Sequence, residues 1–414
     1  MKLFLSVFIR LLLGIGWTVA LFGAQAIEVD SASFEKVNKL PKNTAPSELT
    51  FGTECIKPEQ TVSLMAIGDV LLHDALQKWA SHQAEGFYAV MQGLQDLLSA
   101  ADVTVANLEG PSAEGVLSTG SLVSAPTSLY DGLVYRGYPL FNYHPSIVGD
   151  LKRLGIDVLQ TANNHALDRQ SIGVDRTVEE IAAQGLTSVG TRHRFWRGRD
   201  WYAVQKVHKE GRNFNFAFLS CSFGTNGIPD LYKQVLLCYE NKELILSVIR
   251  ELHANSDIHA VVVMPHWGQE YQAQPEAAQM ALAREMAQAG ATAIIGTHPH
   301  VVQPMEILKT TDGREVPVVY SLGNFVSYQI GMPRLASLIY MLALTPDARG
   351  KLVPRKVAWI PIQMKTGASF SIQAIDRLPA PQVEATRAHL LKTYSAKNLH
   401  PAKLPLWAEN SCKE

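Results

Sequence analysis

The sequence predicts an α/β domain with parallel strands and a mixed sheet, or two such sheets packed together. Three observations lead there. From residue 61 onward, short apolar runs alternate with segments of helical period, the pattern of strands joined by crossover helices. Two hairpin patterns interrupt the alternation, so some strands run antiparallel. Six apolar runs end in carboxylate, amide or imidazole groups, and in α/β sheets functional groups collect just beyond the carboxyl ends of strands.

The elements follow in order. Residues 1–26 have a basic start (Lys2, Arg10), the apolar run LLLGIGWTVALFG and a small-residue AQA. This reads as a signal peptide cleaved near Ala26, the run being short of the about 20 residues that cross a bilayer. An uncleaved anchor is the alternative. Ile27 follows the expected cut, so no lipid-bearing cysteine stands there. Residues 27–60, with LPKNTAPSE at 40–48, form a polar linker. The main domain is expected over 61–330. TVSLMAIGD (61–69) and DVTVANLEG (102–110) are strands. Between them Phe87, Val90, Met91, Leu94, Leu97 and Leu98 carry helical spacing over 84–100. The Ser- and Gly-rich stretch 111–137 predicts a long surface loop, a tolerated insertion or a lid. HPSIVGDLKRLG (144–155) is a helix with Pro145 near its start and Gly155 past its end. IDVLQTANNH (156–165) is a strand entering a loop, and 171–184 is a helix.

WYAVQKV and NFNFAFLS form a hairpin around HKEGR. Helix 240–253 leads to strand HAVVVMPH (259–266), and helix 275–289 leads to ATAIIGTH (291–298). A second hairpin, 305–325, turns on Asp312-Gly313. Residues 331–414 add further strands over 336–378 and a tail helix near 381–395.

A chain of 414 residues with 47% hydrophobic and 18% charged content can bury a sizeable core. Lys and Arg total 37 against 38 Asp and Glu, with no basic stripe, so nucleic acid is excluded as a partner. Loss of residues 1–26 leaves 35 basic against 38 acidic residues. The four cysteines are Cys55, Cys221, Cys238 and Cys412. Their spacing is no metal pattern. Cys221 and Cys238, the closest pair, either close a loop or stay as thiols.

The polar strand ends supply the candidate site. They are Asp69; Asn107 and Glu109; Asn163, Asn164 and His165; His266, Trp267 and Glu270; His298, His300 and Gln303; and Asn324. In GTHPHVVQ the single residue between His298 and His300 puts both imidazoles on one side of an extended segment. Such a set suits a divalent cation, Mn, Fe, Zn or Mg, and two such ions can clamp a phosphoryl group. Without metal, the same groups bind an anion and move protons.

Six stretches in this order carry a resemblance: AIGDVLLH, VANLEGP, LQTANNHALDRQSIG, VVVMPHWGQEY, IIGTHPHVVQP and VYSLGNFVS. The chain resembles the bacterial capsule-synthesis family called CapA or PGA_cap, relatives of the calcineurin-like metallophosphoesterases. The resemblance implies a four-layer αββα sandwich of two mixed sheets. It also implies metal ligands at Asp69, Asn164, His266, His298 and His300, with His165 contacting phosphate. Two departures stand out. Asp69 lacks the usual histidine two residues on, and the family's NLEG replaces a Gly-Asp motif, leaving Glu109 as a substitute bridging carboxylate. Asp69, Glu109, His165, His266, His298 and His300 are then the catalytic candidates. Asn107, Asn163, Trp267, Glu270, Gln303 and Asn324 are the substrate-binding candidates, with Trp267 and Tyr271 as the cleft wall. The function implied is biosynthesis or export of an anionic surface polymer, poly-γ-glutamate or a capsular polysaccharide, by an exported protein working beside membrane-bound synthesis machinery. A periplasmic metal-dependent phosphoesterase and a non-catalytic polymer-binding assembly factor are the alternatives.

Overall fold

Alternation in the apolar runs decides how the strands are covered. In β1 (Val62–Val70), Leu64 and Ala66 join one buried cluster while Met65 and Ile67 join another. Both faces are therefore buried, which is why the run is continuously apolar instead of alternating with polar residues. The computed structural model describes residues 46–52, 58–198 and 200–407. The segment read as a signal peptide, most of the linker, Cys55 and Cys412 lie outside the described residues.

Two mixed sheets result. The first contains β1, β2 (Val103–Leu108), β3 (Val158–Gln160) and β4 (Thr187–Val189), parallel to one another. The second begins with the hairpin β5 (Tyr202–Lys209) and β6 (Arg212–Ser222), followed by β7 (Ala260–His266) and β8 (Ala293–Ile295). It ends with β9 (Val302–Lys309) and β10 (Glu315–Leu322), giving the order β5-β6-β7-β8-β10-β9. The chain then returns to the first sheet. Short β11 (Asn324–Val326) pairs with β1, and β12 (Ala336–Pro346), β13 (Leu352–Lys365) and β14 (Ser371–Ala374) extend the sheet antiparallel, in the order β14-β13-β12-β1-β2-β3-β4. The sequence boundary at 330 does not divide that sheet, because β12 pairs directly with β1.

Between the sheets lie Leu64, Val105, Phe216, Phe218, Val262, Leu342 and Trp359, among others. Outside the first sheet pack α1 (Asp74–Ala80) and α2 (Ser146–Leu154); α3 (Gln170–Ala183) sends Ile181 into the same cluster. Outside the second pack α4 (Lys242–Ala254) and α5 (Ala277–Ala289), whose Ile249 and Met286 meet Val261, Val263 and Ile294. A last helix, α6 (Ala380–Leu390), contributes Leu390 to the inter-sheet core. The molecule is a four-layer αββα sandwich, the architecture the resemblance implied.

Two local expectations change. The helical spacing at 84–100 marks a buried side but not one helix; the segment breaks into short turns at Tyr88–Met91, Gln92–Leu94 and Gln95–Leu98. There β14 packs against Gly93, where a Cβ would lie in ordinary contact, 3.4 Å from Ile372 O. The stretch 111–137 is no simple surface loop either. Ala113, Val116, Val134 and Tyr135 are buried, and the Arg169 guanidinium donates to the Val134 carbonyl. Cys221 and Cys238 are joined as a disulfide closing the segment that follows β6. No helix among the described residues is long and apolar enough to cross a membrane.

Candidate functional site

Strand ends from both sheets meet at one rim. Gly68 makes the first convergence. A Cβ there would sit 1.8 Å from the Gly323 carbonyl, so only glycine admits β11 beside β1. The Asp69 N–H then donates to that carbonyl at 3.0 Å, and Asp69 lies opposite Asn324. Asn107, at the end of β2, donates through Nδ2 to Asp69 Oδ1 at 2.8 Å.

His300 is oriented by this pair. Its Nδ1 lies 3.2 Å from Asp69 Oδ2 and 3.1 Å from Asn324 Oδ1. Both partners are acceptors, so Nδ1 is the nitrogen they hold as donor, and Nε2 is turned toward Glu109, 3.8 Å away. A carboxylate holding one imidazole nitrogen while the other is left as a donor is the usual support of a metal-binding histidine.

Glu109 is the centre of the arrangement. It is fully buried, and neither carboxylate oxygen has a hydrogen-bond partner among the described residues. One oxygen lies 3.6 Å from His266 Nε2. Burial pushes its carboxyl well above the usual range, and the charges of Asp69, Glu270 and Asp168 push it further. The Tyr143 hydroxyl fixes its backbone by donating to the Glu109 carbonyl.

His266 ends β7. Its Nε2 lies 2.8 Å from Asn164 Oδ1, and its Nδ1 lies 3.0 Å from Thr297 Oγ1. Burial, then the neighbouring His298, His300 and His165, hold its pKa well below the ordinary histidine value, so the ring is neutral. His298 is lowered too, by burial first. Its Nδ1 is buried without a hydrogen-bond partner among the described residues. The ring centroids of His266 and His298 are 4.7 Å apart, and those of His298 and His300 are 5.9 Å apart. The expected extended His-x-His segment is not what joins them. His298 has φ 100° and His300 φ 60°, so two left-handed residues turn the chain to converge the rings. Non-glycine residues seldom adopt that region, and such strain clusters at functional sites.

His165 forms a separate dyad. Its Nδ1 lies 2.8 Å from Asp168 Oδ2, which also accepts the Phe141 N–H at 2.7 Å. The ring stands edge-on to Phe141. With Nδ1 held by the carboxylate, the orientation of the ring is fixed.

Two groups of donor atoms lie within 4.8 Å of one another: those of Glu109, His298 and His300, and those of Asp69, Glu109 and His266. Glu109 belongs to both. Orphaned carboxylate oxygens beside neutral imidazoles are a donor set that a divalent cation fits.

Other candidates have different work. Trp267 is not a cleft wall. It is fully buried against the outer core of the second sheet, and its indole N–H donates to the Tyr320 carbonyl at 3.0 Å. Gln303 is also internal; its amide donates to the Gln272 and Gln274 carbonyls. Asn163 donates to the Leu108 carbonyl and to Asn107, so Asn107 and Asn163 brace the carboxylates instead of facing a substrate. Asn324 likewise braces His300 and donates to Gln329. Asn164 is engaged with His266 and Asn226. Glu270 and Tyr271 are exposed at the mouth, with the Tyr271 ring 5.9 Å from that of His300. Sequence reasoning missed Phe223, whose ring lies 4.4 Å from that of His298. It also missed Phe141 and Asn226, which arrive from irregular segments with no polar or periodic signal. Asp168 had a signal, its spacing three residues beyond His165.

The profile of the bacterial capsule synthesis protein family PGA_cap matches residues 63–329. The chain belongs to the PGA_cap family. Among its relatives, the PGA biosynthesis protein CapA of Bacillus subtilis is 28% identical over 276 residues, covering 65% of this chain and 64% of that protein. The capsule biosynthesis protein CapA of Bacillus anthracis is 32% identical over 182 residues, covering 42% of this chain and 41% of that one. This PGA_cap member thus spans less than two thirds of either relative. Among solved structures, the NAD nucleotidase of Haemophilus influenzae overlaps 82% of this chain and 57% of its own, at 10% identity and a TM-score of 0.44. Overlap that low transfers neither substrate nor metal to this PGA_cap chain.

Proposed function

We propose that this chain is an exported protein serving the biosynthesis or export of an anionic surface polymer, poly-γ-glutamate or a capsular polysaccharide. It acts through the cleft between the two sheets. Family membership supports the biosynthetic setting. The observation that carries a chemical role is Glu109, a buried carboxylate with no hydrogen-bond partner for either oxygen among the described residues, beside the imidazoles of His266, His298 and His300. Burying such a group costs several kcal/mol unless a partner compensates it.

A divalent cation is the partner we assign. Glu109, His298 and His300, with Asp69 and His266, would hold it, and when bound it supplies Lewis acidity toward a phosphoryl or carboxyl oxygen. The protein's own groups do the rest. Asp69 and Asn324 hold the proton on His300 Nδ1 and so keep Nε2 as a donor. Thr297 and Asn164 fix the neutral His266 ring. His165, held by Asp168, passes a proton to or from a substrate oxygen. Phe141 and Phe223 limit water around the imidazoles. A purely structural polymer-binding role gives no reason to bury an uncompensated carboxylate here.

The test is metal analysis of the purified protein beside a His298→Ala/His300→Ala variant. Stoichiometric divalent metal in the wild type is expected, with at least a tenfold loss of affinity in the variant and loss of polymer production in cells. Wild-type protein that binds no divalent metal, or polymer output unchanged in the variant, would sink this reading.

A further inference from the structure

Away from the cleft, two loops on the same rim form a patch that the chemistry above leaves unused. One follows β4 and the other follows β6. They are joined by a bridge between Thr191 and Val235 and by the Arg192 N–H donating to the Gln234 carbonyl at 2.9 Å. Phe195 is 61% exposed and Trp196 54% on the first loop; Leu231 is 80% exposed and Tyr232 50% on the second. These are four large apolar side chains on adjoining tips.

The base of the patch is rigid. Asp175, nearly buried, receives Arg194 at 2.6 Å and also accepts from Gln234 at 2.8 Å. His193 lies 3.3 Å from Glu179 and 3.6 Å from Asp175. The Arg194 guanidinium carbon stands 5.2 Å from the Phe195 ring centroid and 5.9 Å from that of Tyr232, tying the loops together. Arg197 and Lys233 are exposed, and neither forms an ion pair among the described residues. The tips therefore carry two exposed cations outside ion pairs beside exposed hydrocarbon, with the carboxylates of Asp200 and Asp230 on the same loops.

We propose that this patch docks the protein on the interfacial zone of an anionic lipid bilayer. Trp and Tyr rings settle at the headgroup level, where an apolar body and a polar edge are both satisfied. Arg197 and Lys233 meet lipid phosphates, while Leu231 and Phe195 enter the acyl boundary. A soluble polyanion would engage the cations but would leave Leu231 and Phe195 in water, so the apolar tips favour the bilayer. The same loop that carries Leu231 and Tyr232 also supplies Asn226 to Asn164, which places the docking surface on the rim where the cleft opens. The inference stands whether or not the cleft binds metal.

The test uses the full chain with phosphatidylglycerol–phosphatidylcholine vesicles bearing brominated acyl chains, read by tryptophan fluorescence. Trp17 in the apolar segment is quenched in every variant, so the readout is the difference: quenching is expected to be clearly greater in the wild type than in Trp196→Phe, which removes the reporting indole but keeps an apolar tip. Arg197→Glu/Lys233→Glu is expected to weaken vesicle binding about tenfold or more, and the effect fades with salt. The N-terminal apolar segment is present in every variant, so differences between variants report the patch alone. Equal quenching in wild type and Trp196→Phe, or unchanged affinity after charge reversal, would overturn the proposal. So would a tryptophan response to soluble poly-γ-glutamate that vesicles fail to produce; the patch would then be a polymer contact.

Discussion

Glu109 is the residue on which the site turns. Its backbone is fixed by Tyr143, yet its carboxylate has no hydrogen-bond partner among the described residues. Glu109→Gln keeps the shape and removes the charge. The chelator-treated protein should therefore gain about 1–3 kcal/mol of stability at neutral pH, since burying an ionisable carboxyl whose pKa is raised well above its usual range is costly there. Metal affinity should fall at the same time. Urea melts with and without chelator check both; a variant less stable than wild type in chelator would contradict the account. At this scale the sequence was partly legible. The imidazoles and carboxylates were visible because polar groups at the ends of apolar runs stand out. Trp267 misled because neighbouring side chains in an extended chain point to opposite faces. With His266 turned into the cleft, Trp267 had to enter the core. The positive φ values at His298 and His300 leave no trace in the sequence, because no glycine marks them.

The bulge at Gly68 shows how a single element sets the site. It lets β11 lie against β1 and brings Asp69 and Asn324 together at His300. Gly68→Ala forces a Cβ into the Gly323 backbone, where no flexible side chain can yield. Destabilisation of about 3 kcal/mol is expected, with loss of metal affinity larger than in a variant equally destabilised elsewhere. Thermal melts and metal titration of the two variants decide this. Most strands were legible as elements because burial on both faces leaves unbroken apolar runs. The 84–100 segment was not, because periodicity reports which side is buried and says nothing about where a helix breaks into separate turns.

The whole molecule depends on connections that join distant parts of the chain. The Cys221–Cys238 disulfide closes a loop of sequence separation 17 that carries Phe223 to His298 and Asn226 to Asn164. Cys221→Ser/Cys238→Ser should lower stability by about 3 kcal/mol in urea unfolding, while the backbone bonds of Ser222 to Leu236 and Cys238 keep the folded loop in place. A denaturation midpoint unchanged from the oxidised wild type would show that the crosslink adds nothing. The four layers were legible through ordered motifs and strand–helix alternation. The pairing of β12 with β1 was not, since contacts between residues 62–66 and 340–344 have no local signature.

The cleft takes its groups from opposite halves of the sandwich: Asp69, Asn107 and Glu109 come from one sheet, His266, His298 and His300 from the other. Any guest gripped by both sets acts as a rivet across the seam. It would resist shear between the halves, so occupancy would be felt as mechanical stiffness far from the rim.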